Sequence, residues 1–128
     1  MTIPTYSSQD LTDLQPWEVI DPVTGPPREF EQRASKRRSF TKLLRITPTD
    51  RDGHPIGVPF TAIGKNISST GIGFYHQQAS NTEFAVIQSF EPNALEQGVL
   101  TRLVWCRFCQ EGIYDSGGEF LGIVATSE

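Results

Sequence analysis

The first 27 positions show no sustained hydrophobic period: apolar residues stand among Thr, Ser and Asp, and five prolines interrupt them. This stretch, 1–27, reads as a partly ordered N-terminal arm. Trp17, Val19 and Ile20 form an apolar cluster able to dock it, since such a cluster seldom faces water without a reason. Residues 29–38 have helix-compatible composition but too few apolar positions to bury a face, which predicts a mobile loop. From Phe40 the pattern changes. Segments at 39–47, 58–67, 71–76, 83–90, 98–109 and 118–126 are rich in β-branched and aromatic residues. Between them lie turn-forming stretches at 50–57, which contains Asp52-Gly53, and at 68–71, 76–81, 91–98 and 111–118. The expectation is an all-β domain over 28–126, with the loop 28–38 as its entry. Short strands joined by short hairpins leave the fewest exposed edges when closed as a six-stranded antiparallel barrel. Little helix is expected beyond a single turn at 93–97.

Composition narrows this picture. A chain of 128 residues, 37% hydrophobic and 20% charged, suits one ordinary domain. No apolar run approaches the roughly 18 residues of a membrane span, so no membrane insertion is expected. The first residues lack a basic segment followed by an apolar one, so no secretory signal and a cytoplasmic location are expected; two cysteines agree with that. The net charge of −4 argues against a general DNA or RNA binder. The distribution of charge says more. Seven of the eleven basic residues, Arg28, Arg33, Lys36, Arg37, Arg38, Lys42 and Arg45, fall in one short stretch of an otherwise acidic chain. One positive patch suits a compact anion better than a long polyanion, which the remaining surface would repel.

Two segments carry candidate chemistry. In Gln32-Arg33-Ala34-Ser35-Lys36-Arg37-Arg38, the planar guanidinium groups can grip phosphate oxygens or the Hoogsteen edge of guanine with paired hydrogen bonds, and can stack on a purine. Alone, such a run equally describes a solvated loop. In Asn66-Ile67-Ser68-Ser69-Thr70-Gly71, an amide and hydroxyls lie at a strand end, and Gly71 permits a positive φ or a close approach by a ligand. Alone, this segment equally describes a self-capped hairpin turn.

Other signals are weaker. Cys106 and Cys109, three apart in a strand, point to opposite sides about 10 Å apart, too far for a disulfide or a shared metal, and read as buried structural residues. His54 and His76 stand alone in predicted turns. Asp50-x-Asp52-Gly53 lacks the later acidic ligand of a calcium loop and reads as a hairpin. Phe74, Trp105, Phe108 and Phe120 read as core. No nucleophile–base or paired-carboxylate set stands out, so neither an enzyme nor a cofactor is expected.

Arg33-x-x-x-Arg37 before a strand, then Asn66-x-Ser68-x-x-Gly71 after a hairpin, resembles the PilZ domain family, receptors for cyclic di-GMP. The likeness runs through roughly residues 33–124, taking in Gly71-Ile72-Gly73-Phe74, Leu103-Val104-Trp105-Cys106-Arg107 and Gly117-Gly118-Glu119-Phe120-Leu121-Gly122. The resemblance implies a six-stranded antiparallel barrel. It also implies that Arg33 and Arg37 hold phosphates and guanine edges, that Asn66 and Ser68 meet a guanine, and that Gly71 leaves room for it. Arg38 and Lys36 would add charge. Ligand binding would order the arginine loop, and the arm would carry that change to a protein partner. The alternatives are a barrel that docks proteins without nucleotide, and a flavin-phosphate barrel enzyme.

Overall fold

A computed structural model of the chain describes residues 5–8, 15–21, 38–77, 81–90, 97–110 and 112–127. The elements are β1 (Thr5–Ser8), α1 (Pro16–Ile20), β2 (Arg38–Ser39), β3 (Leu43–Thr49), β4 (Phe60–Ile67), β5 (Gly71–His76), β6 (Phe84–Ser89), β7 (Gln97–Gln110) and β8 (Ile113–Ser127). Every pairing is antiparallel. Following neighbours from β8 through β5, β4, β3, β6 and β7 leads back to β8, so six strands close the expected barrel. Two short strands extend it: β1 pairs with the end of β8, and β2 with the end of β4.

The core follows strand alternation. Leu44 and Ile46 of β3, Ala85 and Ile87 of β6, and Ile72 and Phe74 of β5 face inward and pack with Ala62, Ile67, Phe40 and Val99. Helix α1 packs against β6, β7 and β8, and Trp17, Val19 and Ile20 join the same core. The apolar cluster of the arm therefore docks as its composition suggested. A Gln15–Glu18 capping box and Pro16 in the first turn start this five-residue helix. Among the described residues it is the only helix, and none is long and apolar enough to cross a membrane. The turn proposed at 93–97 lies almost wholly outside the described residues.

The structure corrects several expectations. Strand β8 begins at Ile113, so the loop expected at 111–118 shrinks to a tight turn in which Gly112 adopts φ 78°. His76, expected in an exposed turn, is the last residue of β5 and is 3% exposed, because β5 stays paired to β8 as far as His76 opposite Tyr114. Cys106 and Cys109, expected to be buried, are both exposed. The described pairing of β6 with β7 ends at Phe84 opposite Arg102, so β7 runs on as a ribbon with β8 that is open to solvent. Phe108 on that ribbon is 62% exposed, whereas Phe74 is core and Phe120 packs against the core. The Asp50–His54 segment is a hairpin turn as expected. Asp50 Oδ1 accepts the amides of Asp52 and His54, each at 2.9 Å, and the His54 amide above all holds its carboxyl below the usual range.

Candidate functional site

The turn between β4 and β5 is built around Ser68. Its N–H donates to the Gly71 carbonyl at 2.9 Å, and the Thr70 and Gly71 amides donate to Ser68 Oγ, both at 3.2 Å. At 1% exposure this hydroxyl is bonded within the turn. Phe120 N–H donates to the Thr70 carbonyl at 2.8 Å and ties the turn to β8. Gly71 is buried in β5; among the described glycines, positive φ is confined to Gly53 and Gly112.

Strand β2 brings the end of the basic stretch to this turn. Arg38 pairs opposite Ile67, and Ser39 opposite Asn66. Arg33 and Arg37 lie outside the described residues.

Register then defines a row across the outer face of four strands. Asn66 of β4 lies opposite Gly73 of β5, Gly73 opposite Gly117 of β8, and Gly117 opposite Trp105 of β7. Directly opposed residues share a face. Irregularities in β4 between Gly64 and Asn66, and in β7 between Leu103 and Trp105, re-aim the two outer members of the row. The two glycines are required by close approach. A Cβ on Gly73 would stand 2.9 Å from Asn66 Oδ1, and one on Gly117 would collide with the face of the Trp105 ring. The row therefore carries an amide at one side and an indole at the other, over backbone without side chains.

The neighbouring row is electrostatic. Tyr75 pairs opposite Asp115, and Asp115 opposite Arg107. Lys65 Nζ donates to Asp115 Oδ2 at 2.8 Å and sits 5.5 Å above the Tyr75 ring. Arg107 Nη2 donates to the same oxygen at 3.3 Å, and the Trp105 indole N–H donates to Oδ1 at 3.5 Å. Burial alone would raise the pKa of Asp115. Hydrogen bonds from Lys65 and Trp105, the Lys65 charge and the Arg107 hydrogen bond together outweigh it and hold the carboxyl below its ordinary value. On the other side of the Asn66 row, exposed Arg102 lies 3.8 Å from Glu83 and 4.0 Å from Glu119, pairs too open to contribute much stability.

Of the residues singled out in the sequence, the structure brings together Arg38, Asn66, Ser68 and Gly71. Gly73, Trp105 and Gly117 belonged to the resemblance, but their alignment in one row was not visible in the sequence; nor was the Lys65–Asp115–Arg107 group. The signal that could have found the row is the spacing Gly71-x-Gly73 and Gly117-Gly118, glycines within strands that mark places where another group lies close.

The fold and this outer face define the class: a closed antiparallel β-barrel whose outer face carries an amide and an indole over two glycines, with Arg38 paired beside them. The chain matches no family model and no curated protein.

Proposed function

We propose that the chain is a non-enzymatic receptor for cyclic di-GMP. The observation that carries this reading is the β2–β4 pairing, which sets the end of the arginine stretch beside Asn66 and its row. In this reading Arg33, Arg37 and Arg38 supply charge for the two phosphates and donors for a guanine edge. Asn66 presents its side-chain amide toward the base, Ser68 and Gly71 hold the turn that follows Asn66, and Trp105 gives an aromatic face for stacking. The resemblance of the two motifs to PilZ domains supports the choice of ligand. Binding draws the arginine segment toward this face, and the arm, whose α1 is seated in the core, passes the change to a protein partner.

Calorimetric titration with cyclic di-GMP, GTP and flavin mononucleotide tests this. Wild type should release heat with cyclic di-GMP at micromolar concentration. Arg37→Ala should weaken binding by about 1.5–3 kcal/mol, the worth of a charge-assisted contact. No heat with cyclic di-GMP would refute the proposal and leave a protein-docking barrel; heat with flavin mononucleotide alone would favour a flavin site.

A further inference from the structure

His76 and Cys106, which stand 30 positions apart in the sequence, meet at one end of the barrel. The His76 ring is buried against Phe60 and Phe74, with centroids 5.5 Å away in each case, and stacks on Tyr114 at 5.7 Å. Its Nε2 lies 2.6 Å from Ser116 Oγ and 4.0 Å from Cys106 Sγ. His76, Ser116 and Cys106 line a cavity of about 310 Å³ whose other walls include Phe60, Phe74 and Leu103. Cys109, three residues along the same strand, is exposed but does not line this cavity.

We propose that Cys106 is a modification site for small soft electrophiles and peroxides, with His76 as the base that takes the thiol proton and the cavity as the space that receives the adduct. The thiolate is the reactive form of cysteine, and a neighbouring imidazole supplies it as the sulfur attacks. The role requires a lone pair on Nε2. Ser116 then donates its hydroxyl hydrogen to that nitrogen at rest, and Cys106 takes over as donor when its sulfur, at the outer limit of a sulfur hydrogen bond, moves closer. With an alkyl halide, a sulfur–carbon bond forms, the carbon–halogen bond breaks, halide leaves with the electron pair, and the thiol proton passes through His76 to solvent. With hydrogen peroxide, a sulfur–oxygen bond forms and the oxygen–oxygen bond breaks. The sulfur gives up two electrons to become a sulfenic acid, and the departing hydroxide takes the proton from His76 and leaves as water. The inference stands on this geometry alone and does not depend on nucleotide binding.

Cys109 provides an internal control in the same chain. Limiting iodoacetamide at pH 7, followed by digestion and mass spectrometry, reads the ratio of Cys106 to Cys109 labelling. Cys106 should react at least about tenfold faster, a threshold set below the roughly hundredfold or more that a positioned base contributes. In urea the ratio should fall near one. His76→Gln should bring it near one in the folded protein, while Ser116→Ala, which keeps the imidazole, should retain the preference. Peroxide with dimedone trapping should mark Cys106 first. Equal labelling of the two cysteines in native wild type would overturn the proposal. So would a preference that persists in urea or in folded His76→Gln, or one lost in Ser116→Ala; if His76→Gln does not fold, the wild-type and Ser116→Ala ratios decide.

Discussion

Asp115 fixes the local order of the outer face, because one carboxylate gathers Lys65, Arg107 and the Trp105 indole. Its folded pKa lies below the unfolded value of about 3.9, so its stabilising contribution is complete above that pH and disappears as pH falls through the lower folded value. Asp115→Asn should therefore destabilise the protein at neutral pH by about 1–3 kcal/mol and flatten the acid side of its stability profile, as read from urea midpoints between pH 6 and pH 2. An acid limb as steep as wild type would contradict this. The glycine beneath Trp105 makes a second residue-scale prediction. Gly117→Ala places a methyl group where the ring lies, so the indole must move. In a nitrogen–proton NMR spectrum, one of the two tryptophan side-chain signals should shift, and Asp115→Asn should shift the same one. Unchanged indole signals in Gly117→Ala would show that the ring does not rest on this glycine.

At the scale of elements, the strands and their closure were legible because alternating β-branched and aromatic residues, separated by turn residues, leave few other arrangements for one small domain. The ends of β8 and β7 were not. Asp115-Ser116-Gly117-Gly118 has the composition of a loop, yet it is strand because Trp105 demands a glycine beneath it and the register with β5 supplies hydrogen bonds on the other side. Strand β1, Thr-Tyr-Ser-Ser, has too little apolar character to announce itself and is defined by its pairing with β8. The meeting of His76 with Cys106 depends on the registers of β5, β8 and β7 together, which no local pattern encodes. The candidate site was half legible: the Asn66–Gly71 turn and its basic neighbour stand in the sequence, whereas the row that joins Asn66 to Trp105 requires three strand registers and two irregularities. Helix α1 offers a test of how far the arm belongs to the fold. Trp17 is almost wholly buried in the main core, so Trp17→Ala should cost about 3–5 kcal/mol in urea unfolding. A loss below about 1 kcal/mol would show that the barrel holds without the arm.

Over the whole molecule, Arg38, at the end of the basic stretch, pairs beside a surface floored by glycine and edged by an amide and an indole. In the proposed reading, charge draws a compact anion to that point and the acidic remainder repels longer ones. The two proposed sites lie close together: Cys106 pairs opposite Ser116, next to the Gly117–Trp105 pair. The most direct test of the nucleotide reading is residue-resolved NMR during titration with cyclic di-GMP. The account predicts that the amides of Asn66, Gly73 and Gly117 and the Trp105 indole shift together and saturate at one ligand concentration, with the shifts lost in Arg37→Ala. Saturating shifts confined to other faces of the barrel, or no shifts at millimolar ligand, would contradict it.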